Sequence, residues 1–374
     1  MERKKLIYII AIAIIALALL GIIIGVAVSS SKNKDESIPD DGKTIPDEGD
    51  DDAEIVDSYN NTEELIKKFP VENPTTVQKG LEEKIQNRLL TGFENWNRGF
   101  KAWKKWGNIL YTQDSIYNVH GARLSLSQYQ KAMDIILSQT TVLMGDFHNM
   151  LICGDFTAIF YDMKTKIGDT LIPGTVMEFV KFKEYGTILG TRVVEGWGST
   201  KDYSYDSLTI YQGENEKKEQ EEQNKYNLNY QIPDQKDLKL KYPVKYPSEY
   251  IDINIANQYI DIILKGFDEW NNGINYYIEW INEGYDKDAI NYGLNGEKRT
   301  MTEYKEAMQK LSEETIIEKL YFDNILIRDN WAAIHYRYRS ENKQTNEKYV
   351  GDRMQFLKFE LKENGYKIVD SWIS

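Results

Sequence analysis

Two stretches of this 374-residue chain repeat one another, so any fold proposed for one must also serve the other. The repeat begins where Leu81, Ile85, Leu89, Phe93, Trp96, Phe100, Trp103 and Trp106 recur at three- and four-residue spacings, one continuous apolar stripe of an amphipathic helix. Moving 174 residues along reproduces it as Ile255, Tyr259, Ile263, Phe267, Trp270, Ile274, Tyr277 and Trp280, and GFENWNRG from Gly92 is answered by GFDEWNNG from Gly266. At an offset of 175, GARLSLSQYQKAM from Gly121 pairs with GEKRTMTEYKEAM from Gly296, a second helix with Ser127 or Thr302 as N-cap. Strands follow. FHNMLICGDFTAIFY from Phe147 and FDNILIRDNWAAIHY from Phe322 share seven of fifteen residues. TVMEFVKF from Thr175 matches DRMQFLKF from Asp352 at an offset of 177, and VVEGW from Val193 matches IVDSW from Ile368. Each copy reads as a long helix, a short helix and three or four strands ending in a hairpin, for which Asn364-Gly365 supplies the tight turn in the second copy. Helices before a run of strands predict an α+β domain, here twice in tandem.

Before the first copy, Leu6 to Val28 is a run of 23 residues without a charge, long enough as a helix to cross a bilayer core of roughly 30 Å. Arg3, Lys4 and Lys5 precede it and acidic residues follow, which puts the N-terminus in the cytoplasm and the rest outside. A cleaved signal peptide is the competing reading, with Ala27-Val28-Ser29 as a loose small-x-small site, but the apolar run is longer than such segments carry. Asp35 to Asp57 then holds eleven acidic residues and one basic one, Lys43, interleaved with Pro and Gly; self-repulsion makes it an extended stalk. Its carboxylates lack the spacing of a calcium loop. The expected divisions are a cytoplasmic tail over 1–5, a transmembrane helix over 6–28, the stalk over 29–60, one domain over 61–212, a linker over 213–248 and a second domain over 249–374.

A net charge of −13 argues against nucleic acid as a partner. The lone Cys153 excludes an internal disulfide and any multi-cysteine metal site, and three scattered histidines offer no metal cluster. Dinucleotide, P-loop, zinc-protease and serine-hydrolase signatures are absent, so no cofactor and no metal is called for.

The Trp-rich first helix, the connection Tyr111-Thr112-Gln113-Asp114, the turn His120-Gly121, the short helix Leu126 to Leu137, the strand pair around Gly154-Asp155-Phe156, the strand MEFVKF and the terminal Val194-Glu195-Gly196-Trp197 together resemble the nuclear transport factor 2-like superfamily, in its SnoaL-like and ketosteroid isomerase-like branch. The resemblance covers about 120 residues in each copy. It implies a cone-shaped domain: a long helix packed into a strongly curved antiparallel sheet, with a pocket between them. Enzymes of that kind place one or two Asp, His or Tyr side chains in an apolar cavity as general acid and base. Carried onto this chain, His120 would be the base, with Asp114 or Tyr161 orienting it or stabilising an enolate. Asn295 replaces His120 in the second copy, which confines such an isomerase, dehydratase or cyclase to the first.

Trp96, Trp103, Trp197, Trp270 and Tyr336 are candidate ligand-binding aromatics, or core. Glu195 shares a face with Val193 and Trp197 by strand alternation, with Asp370 as its counterpart, so the pair either lines two pockets or faces solvent in both. Three readings result. The leading one is a single-pass, signal-anchored, extracytoplasmic protein of the cell membrane that binds a small apolar or aromatic ligand or a cell-envelope component. The second is the enzyme just described. The third is a scaffold whose outer sheet faces pack on each other or form a homodimer, with Trp96 and Trp103 plugging the cones and Val180 and Phe182 buried against the partner domain.

Overall fold

The computed structural model describes residues 54–56, 62–119, 122–137, 141–167, 170–186, 190–198, 212–293 and 297–373. The apolar segment 6–28 and most of the acidic stalk lie outside the described residues, among which no helix is long and apolar enough to cross a membrane. The first half runs α1 (Thr62–Lys68), β1 (Val71–Pro74), α2 (Leu81–Asn97), α3 (Phe100–Leu110), β2 (Tyr111–Val119), β3 (Ala122–Ser125), α4 (Leu126–Leu137), β4 (Thr141–Cys153), β5 (Phe156–Ile167), β6 (Thr170–Glu184) and β7 (Thr191–Gly198). Two linker helices follow, α5 (Glu214–Asn229) and α6 (Leu238–Lys241). The second half repeats the order: β8 (Val244–Tyr250), α7 (Ile253–Asn272), α8 (Ile274–Gly284), β9 (Tyr285–Tyr292), β10 (Lys298–Thr300), α9 (Met301–Glu314), β11 (Thr315–Arg328), β12 (Trp331–Asn342), β13 (Lys348–Lys362) and β14 (Gly365–Ile373).

Each half builds one seven-stranded sheet, ordered β1-β4-β5-β6-β7-β2-β3 and β8-β11-β12-β13-β14-β9-β10. The central strands are antiparallel, and β1 on β4, β8 on β11, β2 on β7 and β9 on β14 run parallel. This is the α+β architecture expected of both copies, with three differences of detail. The stripe helix is two helices in each half, because Gly99 at φ 112° and Gly273 at φ 128° adopt backbone that a side chain would strain. The stripe survives the break: Trp96 meets Trp103 edge to face at 4.9 Å, and Trp270 meets Tyr277 at 4.8 Å. The paired glycines of GFENWNRG and GFDEWNNG thus have separate tasks, since a Cβ on Gly92 or Gly266 would lie 2.5 Å from the ring of Trp106 or Trp280.

Second, the connection at Asp114 is itself strand β2, and β8 belongs to the second sheet through pairs such as Phe322 with Val244, although most of it falls in the span expected as linker. Third, the short helix α9 is capped by Thr300, not Thr302: its hydroxyl accepts from Glu303 N at 3.3 Å while the Glu303 carboxylate accepts from Thr300 N at 2.8 Å.

Three apolar clusters hold the molecule. One fills the concavity of each sheet; the third joins the outer faces of the two sheets, uniting Leu151, Phe156, Phe160, Met177, Phe179 and Trp197 with Leu326, Trp331, Met354 and Phe356. The outer-face packing of the scaffold reading therefore occurs within one chain. Val180 and Phe182 are not part of it: they point inward into the first core, and their neighbour Phe179 points out. At the rim of this contact lies a buried ion pair between Arg328 and Glu82. Arg328 Nε also donates to Ile152 O at 3.1 Å, and Glu82 accepts from Gly154 N at 2.9 Å and Gln78 N at 2.7 Å. Cys153, one residue on, is buried as a small strand residue with its thiol pushed up to about 12 by burial.

Removing one partner of such a pair strands the other charge. Arg328→Ala is expected to lower the unfolding free energy by about 3–5 kcal/mol in urea titrations, and Arg328→Met with Glu82→Gln to recover most of the loss. A loss below about 1 kcal/mol for the single variant would mean that the pair does not tie the halves.

Candidate functional site

Each concavity centres on a box of four rings at matching positions: Phe93, Trp96, Trp103 and Tyr161 in the first half, Phe267, Trp270, Tyr277 and Tyr336 in the second. Phe93 meets Tyr161 edge to face at 4.6 Å, as Phe267 meets Tyr336 at 4.7 Å. Trp96 Nε1 donates to Val142 O at 2.8 Å and Trp270 Nε1 to Ile317 O at 2.9 Å, so the indoles are pinned as well as packed. Trp96, Trp103, Tyr277 and Tyr336 are buried in their cores and Trp270 is half-buried against its own.

The two boxes hold different chemistry. In the first half, Glu178 on β6 points inward between Met177 and Phe179, which point out, and its Oε1 accepts from the Tyr161 hydroxyl at 2.8 Å. Burial raises the Glu178 carboxyl pKa, and hydrogen bonds from Tyr161 and Tyr117 pull it back without cancelling the rise. Tyr117, Tyr129 and Tyr161 are in turn held well above the ordinary phenol range by burial, with the Glu178 charge adding to it. A carboxyl of raised pKa beside a tyrosine in an apolar cone is an arrangement that can move protons. The second half has Gln355 at that position and cannot do the same.

Instead the second half has Lys319, 8% exposed, whose Nζ stands 4.6 Å from the ring centre of Phe267, 5.0 Å from Trp270, 5.1 Å from Tyr277 and 5.6 Å from Tyr336. Burial lowers its ammonium to about 7, while the ring faces, which favour the charged form, pull the other way. Met144 is its equivalent in the first half. The backbone around both is clamped alike: Asn97 bonds Met144 N at 2.8 Å and O at 2.9 Å, and Asn271 bonds Lys319 N at 2.9 Å and O at 2.8 Å.

The described residues test the expected catalytic set only in part. Asp114 lies exposed on β2 while Tyr161 is buried, and His120 lies outside the described residues. Glu195 and Asp370 do not enter the cones. A bulge at Val194 makes Phe182 pair with Val193 but Lys181 with Glu195, and Val369 does the same between Phe359–Ile368 and Lys358–Asp370. Each bulge reverses the alternation, so Val193 faces the core while Glu195 and Trp197 face outward. Trp197 consequently packs at the contact between halves, 5.8 Å from Phe156 and 6.1 Å from His335. His148 is half-exposed, bridging Glu72 and Asp162 at 2.8 Å each; burial pulls its pKa down, and the two carboxylates outweigh burial and raise it.

The outward turn of Glu195 and Trp197 takes them to a cavity of about 850 Å³ between the halves, roofed by α5. The first half contributes Asn118 and Arg123 as well, the helix Glu219, Gln223 and Tyr226, its C-cap Tyr230, and the second half Lys245, Tyr321, Asp323, Arg337 and Asp352. Behind its wall, buried His335 bonds Asp352 at 2.7 Å and Arg337 bonds Asp323 at 2.6 Å. The Asp352 carboxyl is held well below its ordinary range: burial opposes this, and Arg337 and His335 outweigh it. Arg123 pairs with Glu219 at 2.7 Å across the mouth. Among the described residues no group of three His, Cys, Asp or Glu side chains is arranged to hold a metal ion.

Glu178 and Lys319 were legible only by comparing copies, where Glu faces Gln and Lys faces Met at inward positions. The cavity had no sequence signal, since α5 is polar apart from Tyr226 and Leu228 and shows no apolar stripe.

No family model and no curated protein matches this chain. Solved structures do, each over about a third of this chain. A nuclear transport factor 2-like protein of Pseudomonas putida KT2440 is 10% identical over 33% of this chain and 89% of its own, with a TM-score of 0.27. A ketosteroid isomerase-like protein of Erwinia carotovora atroseptica is 13% identical over 33% and 97%, TM-score 0.26. A candidate SnoaL-like polyketide cyclase of Mesorhizobium loti is 12% identical over 33% and 99%, TM-score 0.26.

An acid whose folded pKa is raised contributes stability that is present below its unfolded value near 4.5 and lost as pH rises through the folded value. Glu178→Gln is therefore expected to raise the thermal midpoint relative to the parent at about pH 7 and to lose that advantage near pH 4. An equal shift at both pH values would show that the Glu178 carboxyl is not perturbed.

Proposed function

We propose that this chain is a membrane-tethered binding protein whose two halves, joined face to face, hold a polar ligand or cell-envelope component in the cavity beneath α5. The observation that carries the reading is that cavity: aromatic faces from Trp197, Tyr226, Tyr230 and Tyr321 stand beside carboxylates and cations, the mix of apolar surface and fixed polar groups that ligand sites use. The boxes within the cones, by contrast, are occupied by their own rings. Anchoring through 6–28, with the N-terminus cytoplasmic and both halves outside, is supported by the uncharged run and the flanking charges. The ligand class differs from the apolar one that the sequence suggested, because the open space is lined by charge.

A second reading is favoured by Glu178. With Tyr161 it forms an acid-base pair in the first cone, suited to an isomerase or dehydratase, and it takes the place of the set built on His120 and Asp114.

Native mass spectrometry of the full-length protein in detergent, purified from its own membrane, tests the binding reading. The expected result is a stoichiometric excess mass lost on denaturation, and reduced at least tenfold in occupancy by Tyr226→Ala, a side chain 52% exposed and so free of core strain. A bare mass, or an excess indifferent to Tyr226, would overturn the assignment of the cavity.

A further inference from the structure

The charges that line the cavity beneath α5 do not cancel. Arg123 is held by Glu219 at 2.7 Å, and Arg337 by Asp323 at 2.6 Å and Asp352 at 3.9 Å, so both arginines are satisfied by the wall itself. Lys245 stands over the ring of Tyr246, 5.0 Å from its centre. Two further lining carboxylates, Glu195 and Glu222, have no cation in ion-pair range among the described residues; Glu195 accepts only from the Asn118 amide, at 3.4 Å. The helix sorts its charge in the same sense. Glu219, Glu222 and Tyr226, at three- and four-residue spacings, turn to the cavity, and none of Lys217, Lys218 and Lys225 lines it.

Aromatic rings border the same space as the two unpaired acids. Tyr226 and Tyr230 lie 5.6 Å apart at 71°, and Tyr230 and Tyr321 lie 5.3 Å apart at 57°. Rings inclined to one another present faces in more than one direction, and a ring face attracts a cation, most of all one that sheds its water readily. We propose that the cavity takes an organic cation, with an alkylated ammonium group seated against Tyr226, Tyr230 and Tyr321 and with Glu195 and Glu222 as its countercharge. This inference rests on the binding reading and sets the class of its ligand. An alkylated ammonium has methyl or methylene groups for the ring faces and a charge that the carboxylates attract through space, without a directed hydrogen bond. Glu195 is half-buried and Glu222 exposed, so added salt weakens that attraction.

The test is titration calorimetry of the dialysed full-length protein in a nonionic detergent, with choline and with dimethylbutanol, the neutral analogue that has carbon in place of the nitrogen. Choline is expected to bind about tenfold more tightly than the alcohol. Glu195→Gln with Glu222→Gln, two changes that keep side-chain shape and face the cavity, is expected to abolish that preference and to leave the affinity for the alcohol unchanged. Equal affinity for the two probes, binding of neither, or a preference indifferent to the two glutamates overturns the proposal. If an excess mass that depends on Tyr226 is nevertheless found on the native protein, the cavity keeps its role as a ligand site and only the cationic class falls; if no such mass is found, the binding reading falls with it.

Discussion

Everything in this molecule is arranged around the burial of one sheet face against another. A bent sheet with helices in its concavity has satisfied only its inner surface, and an outer face carrying Phe156, Phe160, Phe179 and Trp197 would be an exposed apolar patch on a lone half. The second half covers it with Trp331, Met354 and Phe356, so Phe160 meets Phe356 at 5.8 Å and Trp372 at 6.3 Å. The contact is sealed by reciprocal side-chain-to-backbone bonds at equivalent positions. Arg328 reaches Ile152 O, and Cys153 reaches Ile327 O at 3.7 Å, one built for charge and the other for a thiol.

Around that near-symmetric frame, the halves have exchanged chemistry position by position. Glu178 faces Gln355, Met144 faces Lys319, and Cys153 faces Arg328. His148 with Asp162 across two strands becomes Asp323 with Arg337, the same cross-strand attraction with its polarity inverted. What stayed fixed is what the backbone requires: the breaking glycines, the rings of the box, the asparagines that clamp β4 and β11. What changed is buried polar identity, where a substitution alters reactivity without altering shape.

The repeat, the fold class and the aromatic stripe were legible in the sequence because apolar periodicity and copy-to-copy identity report directly on which face is buried. The direction of Glu195 and Asp370, left open between pocket and solvent, was not, because a single extra residue at Val194 or Val369 reverses every later side chain. Strands β1 and β8 were missed for a related reason. They are short, carry prolines, and owe their extended state to pairing with β4 and β11 far along the chain.

The linker of two helices between the halves has a consequence for mass action. Two separate chains meeting through these faces would associate to a degree set by their concentration, and each free half would show its apolar face to every other protein. Joined by a tether, the faces meet at an effective concentration fixed by the linker, on the order of millimolar for a short connection. The pairing of unlike halves is thereby guaranteed at a ratio of one to one, and the asymmetric chemistry they carry is never diluted by pairing of like with like.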